Sequence, residues 1–444
     1  MQQFSLKTLL SSRLSPRHVT EIAWLMGGQI VAMALGLVNV KVLTSMGTAE
    51  FGAYSLALTI TAFMSAILFG PVEQAFVRYY SVYQKRGALG EYRTVLYAFI
   101  RWASLVVLVA TLLIFAVLRL LDLSRMSFVA GAVGFLVVGT CSMSLFSSLL
   151  NVVRQRKANA IVQVGERVLV AMLLLLGAWF HHLDAVTSLC ILAFGGSLAS
   201  VVRARMVEKA LSLQDQPMPG PSRDAHRGIR SSLLNYSLPF VIWGVAGWLQ
   251  QNGEKWIIAQ QLSTADVGIY ALMITVVNAL IVTPYGLLNQ FATPILYEKF
   301  SDLRSSESIR EGNAYLKILV GAILGIGMIS AIITAFGGRW IILLLSTPEY
   351  VEYWYLLPIL CIGFGLFYTG QAMAAVGLSL NVPERYLVPK ILSGILSVAA
   401  NIVLIIYFGL AGIVAAICFV GLFYLLLIAH TNSKIWAKTR FTSR

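Results

Sequence analysis

Long apolar stretches separated by short polar segments dominate the pattern of hydrophobic and polar positions along the chain. A helix needs about 20 apolar residues to cross a bilayer, and twelve stretches approach or exceed that length. They lie at about 20–44, 51–77, 95–119, 127–152, 158–180, 183–203, 233–257, 266–297, 313–336, 353–378, 386–408 and 410–430. The pattern therefore predicts an all-α polytopic membrane protein with about twelve transmembrane helices.

Composition narrows the class of protein further. Of the 444 residues, 58% are hydrophobic and only 12% are charged, whereas an ordinary soluble domain has about 25% charged residues. So few charges cannot cover a soluble surface. The composition therefore excludes a disordered chain, a secreted disulfide scaffold and a soluble globular enzyme.

The distribution of Lys and Arg predicts the orientation in the membrane. If the N-terminus is cytoplasmic, 25 of the 33 basic residues fall in cytoplasmic segments, five at the outer ends of spans and three inside spans. Cytoplasmic loops of membrane proteins carry such an excess of positive charge. Both termini are therefore expected in the cytoplasm, and the number of spans is expected to be even.

The longest connection lies almost midway along the chain, from about 204 to 232. It contains the Pro-rich sequence QPMPGP at 216–221 and five basic residues, which is typical of a linker. We therefore predict an N-terminal six-helix lobe at 1–207, a cytoplasmic linker at 208–230 and a C-terminal six-helix lobe at 231–444.

An internal repeat supports two related halves. Residues 47–60 read GTAEFGAYSLALTI, and residues 263–276 read STADVGIYALMITV. At an offset of 216, the identical pairs are Thr48/Thr264, Ala49/Ala265, Gly52/Gly268, Tyr54/Tyr270, Leu56/Leu272 and Thr59/Thr275, and the register continues to Gly70/Gly286 and Gln74/Gln290. Both copies begin an even-numbered span at its outer end, so they have the same orientation. This predicts a parallel six-plus-six repeat around a central cavity.

Each copy of the repeat suggests a capped helix that bends further along. Thr48 and Thr264 are expected to cap the two helices, with an acid in each first turn that favours the helix dipole. Glycine and proline then weaken each helix toward its cytoplasmic end, where helices commonly bend. The hinge candidates are Gly70, Pro71, Pro284 and Gly286. Two halves with bendable helices suit a transporter that alternates between inward-open and outward-open states.

The residues of the first copy resemble a known family. Lys41, Gly47, Phe51-Gly52 and Tyr54 form a pattern similar to the hallmark of bacterial polysaccharide-repeat-unit (Wzx-type) flippases. These are O-antigen and exopolysaccharide translocases of the multidrug/oligosaccharidyl-lipid/polysaccharide exporter superfamily. Later residues agree: Pro239, the pair Glu254-Lys255 and the segment Val267-Gly268-Ile269-Tyr270. The resemblance implies two six-helix lobes in the bacterial inner membrane and an undecaprenyl-pyrophosphate-linked oligosaccharide as the substrate.

Polar residues inside the apolar stretches are the candidate site. Charges at membrane depth are expensive and usually face a cavity or a partner, and Arg binds a diphosphate in bidentate fashion. The candidates for substrate binding are Lys41, Arg101, Arg167, Lys255, Lys317, Gln74, Gln250 and Gln290; those for ion coupling are Glu73, Glu166 and Glu254. Trp243, Trp248, Trp256 and Tyr285 offer aromatic faces for sugars.

Structural roles for the same residues stay open. Arg101 could extend to the interface with its charge in water, and Glu166 with Arg167 could form an ion pair. The amides could serve as hydrogen-bonding links between helices.

Other functions fit the sequence less well. A proton- or sodium-coupled multidrug antiporter would share the architecture, but its cavity should be more acidic, whereas the membrane charges here lean basic. A polysaccharide polymerase or ligase would carry a larger outer loop than those at 119–127 and 337–352. The sequence contains no Walker A or HExxH motif, and the four cysteines have no metal-binding spacing. We expect a non-enzymatic protein without cofactor or metal, whose partners are the lipid-linked oligosaccharide, membrane lipids and other polysaccharide-assembly proteins, with no nucleic acid.

Overall fold

The computed structural model describes residues 16–213, 223–300, 306–379 and 382–442, so the Pro-rich peptide at 216–221 lies outside the described residues. Within these ranges the regular structure is helical, with no strand. The α-helices are α1 Pro16–Thr44, α2 Thr48–Met64, α3 Gly70–Lys85, α4 Leu89–Leu120, α5 Ser124–Val152, α6 Arg156–Trp179, α7 Ala185–Ser212, α8 Arg223–Gln261, α9 Thr264–Val277, α10 Thr283–Lys299, α11 Ser306–Leu345, α12 Leu357–Ser379 and α13 Leu387–Thr442. Two π-helical turns, Ser65–Phe69 and Asn278–Val282, join α2 to α3 and α9 to α10. Short 3-10 helices occupy Pro348–Tyr350, Trp354–Leu356 and Pro383–Tyr386.

The predicted all-α membrane fold is confirmed. In the described part of the chain, eleven helical segments are long and apolar enough to cross a membrane, and the last of them, Glu384–Ile435, has 52 residues. Gly409 inside it has φ 57° and ψ −137°, a left-handed conformation that glycine adopts readily. The chain reverses there, because Gly412 packs against the backbone carbonyl of Leu404. This segment therefore contains the last two predicted spans.

The chain forms two compact units. The first comprises Met1–Val42 and Ile60–Val245, and the second comprises Leu43–Thr59 and Ala246–Arg444. The lobe boundaries and linker derived from the sequence stay a prediction. In the first unit, aromatic rings pack where α3 meets α4: the rings of Phe76 and Tyr92 lie 5.3 Å apart, edge to face. The Tyr92 hydroxyl donates to the Phe76 carbonyl at 2.8 Å, which satisfies a polar group that would otherwise be buried unpaired.

The two copies of the repeat contact each other within the second unit. Gly52 of α2 packs against the carbonyl of Thr264, and Gly268 of α9 packs against the carbonyl of Thr48. A methyl group at either glycine would overlap the opposing backbone. The glycines that match at an offset of 216 are therefore the points at which two helices cross at close range.

The helix starts of the repeat correct one expectation. Thr264 is the first helical residue, and Ser263 is the cap: its hydroxyl accepts the N–H of Asp266 at 3.1 Å. Acids do lie in both first turns, Glu50 in α2 and Asp266 in α9. The prediction that Thr264 caps α9 is wrong because the helix begins at Thr264 itself, one residue earlier than a Thr264 cap requires.

The positions of the two π-helical turns show that the predicted register of the repeat does not continue beyond its outer part. The N–H of Gly70 bonds to the carbonyl of Ser65, and that of Thr283 to Asn278, each five residues back. A proline stands two positions after the last residue of each turn, Pro71 in one copy and Pro284 in the other. These prolines are 213 residues apart, not 216, because α9 is three residues shorter than α2. The matches of Gly70 with Gly286 and of Gln74 with Gln290 are therefore not structural equivalents.

Candidate translocation site

The fifth span, α6, carries adjacent charges in an apolar helix. Arg167 and Glu166 lie 3.7 Å apart, with the Arg167 side chain 42% exposed and that of Glu166 only 9%. The residues that share the helix face of Arg167 are buried: Ala160, Ala171 and Leu174. The large exposed apolar residues Ile161, Val168, Met172 and Leu175 occupy another face. Because helical residues three, four and seven apart share a face, the exposed part of Arg167 opens toward the interior and not toward the lipid-facing side.

A buried polar network lies beside this pair and connects three helices of the first unit. Arg203 of α7 is only 2% exposed, and its Nε donates to Oδ1 of Asn159 in α6 at 2.8 Å. The Asn159 amide donates to Oδ1 of Asn151 at 3.2 Å and to the hydroxyl of Ser147 at 2.9 Å, both in α5. The network fixes the orientation of Asn159 and holds the guanidinium of Arg203 in the interior.

Arg203 is a functional candidate that sequence reasoning missed. The sequence places it near the predicted cytoplasmic end of the sixth span, and it is one of the 25 basic residues assigned above to cytoplasmic segments. A signal was available in the helical spacing, because the buried face of α7 contains Gly196, Ala199, Ser200, Arg203 and Val207. These positions recur at intervals of three and four residues, so Arg203 shares the packed face.

Glu73 of α3 is held by two hydroxyl groups. Ser148 donates to Oε1 at 2.6 Å, and Ser144 donates to Oε2 at 3.0 Å. The two serines are four residues apart on α5, so one helix face supplies both donors. The arrangement stabilises a carboxylate with neutral donors and leaves it able to bind a cation or a proton.

The second unit contains a cavity of about 220 Å³. Its polar lining consists of Gln250, Gln251, Asn252, Glu254, Lys255, Asn278, Ser397 and Asn401, and its aromatic lining of Phe364, Phe367 and Tyr368. The cavity thus brings together three of the predicted site residues, Gln250, Glu254 and Lys255. Asn401 and Ser397 were not predicted, because amides and hydroxyls are common on packed membrane helices.

Two side chains of this cavity have unusual surroundings. Glu254 is only 8% exposed, and its Oε1 accepts the hydroxyl of Tyr270 at 3.2 Å. Oδ1 of Asn401 is buried and accepts no hydrogen bond within the described protein. An unsatisfied buried oxygen is costly, and this one lines the same cavity as the buried carboxylate of Glu254.

Two tryptophans expected to face sugars have other partners. Trp248 donates its indole N–H to the carbonyl of Thr59 at 2.7 Å, and Trp256 donates to the Thr59 hydroxyl at 2.9 Å. Both rings therefore fix the end of the repeat segment in the second unit. Trp256 keeps 42% of its surface exposed, so part of its ring stays accessible.

The other predicted residues lie apart from the cavity and the network. Lys41, in the last turn of α1, is exposed, as are Gln74 in α3 and Gln290 in α10. Lys317 of α11 is exposed beside Ile318. Arg101 of α4 lies among exposed apolar residues such as Trp102 and Leu105, and its Nε donates to the Tyr97 carbonyl at 3.3 Å. This placement is the one expected of an arginine that extends along a lipid-facing surface.

Solved structures with the same arrangement of helices are membrane transporters. The lipid II flippase MurJ in an inward closed conformation has a TM-score of 0.69 and 14% identity, over 94% of this chain and 90% of that one. An inward-facing MATE family multidrug resistance transporter of the MOP superfamily has a TM-score of 0.65 and 14% identity, over 93% and 96%. A Vibrio cholerae MATE transporter, VcmN, has a TM-score of 0.64 and 15% identity, over 95% and 96%. At such identities the likeness shows the fold alone, which this chain shares with these transporters.

The sequence places the chain more narrowly within that fold. The sequence model of the family described as polysaccharide biosynthesis protein matches residues 19–298, and the chain belongs to this family. No curated protein matches the chain.

Proposed function

We propose that the protein flips undecaprenyl-pyrophosphate-linked oligosaccharide repeat units from the cytoplasmic to the periplasmic leaflet of the inner membrane, by alternating access, for O-antigen or exopolysaccharide biosynthesis. Its family supports a role in polysaccharide assembly. The fold shared with a lipid II flippase supports a lipid-linked substrate. The observation that carries the proposal is Arg167, whose side chain is 42% exposed on a helix face that also carries the buried residues Ala160, Ala171 and Leu174. Such a group suits a diphosphate, which arginine binds through two parallel hydrogen bonds.

The cavity of the second unit is the proposed contact for the sugar or the headgroup. Lys255 supplies a cation, and Gln250, Gln251 and Asn278 supply amides. Phe364 and Tyr368 supply aromatic surface of the kind on which sugar rings pack. The exposed cations Lys41, Arg101 and Lys317 and the amides Gln74 and Gln290 remain candidates for further contacts with the substrate.

We further infer that a buried acid couples transport to an ion gradient. Glu254 beside Asn401 and Glu73 between two serine hydroxyls are the best placed of the three predicted acids. Glu166 differs, because it already has a cation within 4 Å. A proton or a sodium ion would neutralise either of the first two acids.

The decisive experiment measures flipping of a lipid-linked oligosaccharide in proteoliposomes containing Arg167→Ala. We expect transport to fall about tenfold or more, since charge-assisted hydrogen bonds are worth about 1.5–3 kcal/mol, with normal protein abundance. Arg167→Lys should restore it only in part, because an ammonium lacks the bidentate geometry. Arg205→Ala is the matched control, since Arg205 is exposed on α7.

A double variant separates substrate binding from a structural ion pair. If Arg167 serves only to neutralise Glu166, the combination of Glu166→Gln with Arg167→Ala should restore transport. Continued failure with normal abundance supports the proposal. Export of cationic dyes, with no movement of lipid-linked sugars by the wild-type protein, would instead favour the antiporter.

The orientation is tested with single cysteine labels. Ala88→Cys, between α3 and α4, should resist an impermeant reagent applied from the periplasmic side. Ser124→Cys, at the start of α5, and Asp184→Cys, just before α7, should react, because the predicted orientation places both on the periplasmic side. Labelling of position 88 from outside would contradict the predicted cytoplasmic termini.

A further inference from the structure

Glu166 lies in the same part of the first unit as two arginines that differ in exposure, Arg167 and Arg203. It shares a face of α6 with Asn159, seven residues earlier, and Asn159 binds Arg203. Its side chain also packs near Gly195 of α7, two turns before Arg203 on the same face. The carboxylate therefore has half-exposed Arg167 within 4 Å, and buried Arg203 on the neighbouring helix is bonded to the same face of α6 through Asn159.

Each buried member of this group has one unsatisfied atom. Oε2 of Glu166 and a terminal nitrogen of Arg203, Nη1, are both buried without a hydrogen bond in the described protein. The helices α6 and α7 run in opposite directions, because Asn159 contacts Arg203 whereas Glu166 lies near Gly195. Side chains tilt toward the start of their own helix, so those of Glu166 and Arg203 tilt toward each other. Their unused bonding capacity is thus complementary in charge and lies in the same interior region.

We propose that Arg203 is a positioning residue that receives Glu166 when the substrate diphosphate engages Arg167. This inference rests on the proposed function. A buried carboxylate without a counter-charge is strongly destabilising, so Glu166 must keep a cation in every state. With the substrate bound, Arg167 is occupied by phosphate, and Arg203 is the cation that remains. Without Arg203, binding of the substrate would leave the buried Glu166 carboxylate without a counter-charge, and the affinity for diphosphate would fall.

The test measures the affinity of the full-length purified protein, in nanodiscs, for undecaprenyl pyrophosphate and for inorganic pyrophosphate. Arg203→Met should weaken binding by at least about fivefold, the lower end of typical couplings between sites. Adding Glu166→Gln should return the affinity to within about twofold of wild type, because Arg167 no longer has a carboxylate to neutralise. Glu166→Gln alone should bind at least as tightly as wild type while lowering the unfolding temperature. Arg205→Met, on the exposed side of α7, is the matched control.

A purely structural role for Arg203 gives a different result. In that case Arg203→Met lowers stability, and Glu166→Gln restores no affinity, which overturns the inference. Should Arg203→Met fail to fold, Arg203→Lys decides: it keeps the charge but loses the Nε bond to Asn159, so affinity should stay within about twofold of wild type. A loss of affinity in folded Arg203→Lys as large as in Arg167→Ala overturns the inference.

The outcomes also separate this inference from the proposed function. If the wild type binds no diphosphate, or Arg167→Ala leaves binding unchanged, the proposed function fails as well. If binding depends on Arg167 but not on Arg203, only this inference fails.

Discussion

The second span, Thr48–Lys85, and the eighth span, which begins at Thr264, agree in their first halves and diverge in their second halves. In the first halves, identical residues occur at a constant offset, and Gly52 and Gly268 pack reciprocally against the backbone of the opposite copy. Beyond the π-helical turns, the second span carries Glu73 with two serine donors. The corresponding part of α10 carries the amides Asn289 and Gln290.

This difference separates two kinds of constraint. A helix crossing at backbone contact requires glycine from both helices, so the two copies keep the same residues there. The second halves belong to different compact units, so each is free to acquire its own chemistry. We therefore interpret the shared half as mechanical and the divergent half as the part that distinguishes ligands or ions.

The largest effect is expected at the glycine crossing. Gly52→Ala and Gly268→Ala each place a methyl group on a backbone carbonyl, and overpacking of this kind costs about 1–3 kcal/mol. The two variants should lower the unfolding temperature in detergent by similar amounts. Gly36→Ala, with open space around its α-carbon, should not lower it.

The double variant Gly52→Ala with Gly268→Ala tests whether the two glycines are equivalent. Once one methyl group has separated the helices, the second meets less resistance, so the cost of both should be less than the sum of the single costs. Additive or clearly unequal losses would show that the crossing is not shared symmetrically between the copies.

The next effect concerns the acid of the second span. Glu73→Gln keeps the size of the side chain but removes the charge that two serine hydroxyls stabilise. Hydrogen bonds to a charged group are worth about 1.5–3 kcal/mol, so a coupling role predicts about tenfold slower flipping in proteoliposomes. Asn289→Ala, which removes an amide from the second half of the eighth span, should change the rate less than about threefold. Equal losses at both positions would remove the chemical difference between the two spans.

A smaller effect is expected at the prolines. Proline in an ordinary helix interior costs about 3 kcal/mol, but each π-helical turn already accommodates Pro71 or Pro284. Pro71→Ala and Pro284→Ala should therefore change the free energy of unfolding by less than about 1 kcal/mol each. If the turns act as hinges, both variants should slow flipping a few-fold at normal abundance. Unchanged flipping in both would show that the turns serve packing alone.

The sequence predicted some of these features and not others, for physical reasons. Spans and the outer repeat were predictable because length, hydropathy and residue identity are local properties. Because α9 is three residues shorter than α2, the register shifts by three residues before the π-helical turns without any change in hydropathy, so the match of Gly70 with Gly286 looked continuous. The pairing of Glu73 with Ser144 and Ser148 depends on which helices are neighbours, which no local pattern encodes. Arg203 was missed because its position near a span end outweighed its helical spacing.

The smallest effect is expected at Ser330 of α11. Pro284 has no N–H to offer the carbonyl of Leu280 four residues earlier, and the Ser330 hydroxyl donates to that carbonyl at 3.4 Å. Typical hydrogen bonds contribute about 0.5–1.5 kcal/mol, and a bond this long belongs at or below the lower end. Ser330→Ala should therefore reduce the free energy of unfolding by about 0.5 kcal/mol or less. Ser379→Ala, which removes a bond within its own helix, provides the baseline in the same denaturation series. A loss several times that of Ser379→Ala would mean that Ser330 holds the π-helical turn of the eighth span in place. In that case a mechanical contact would lie outside the first halves that the second and eighth spans share.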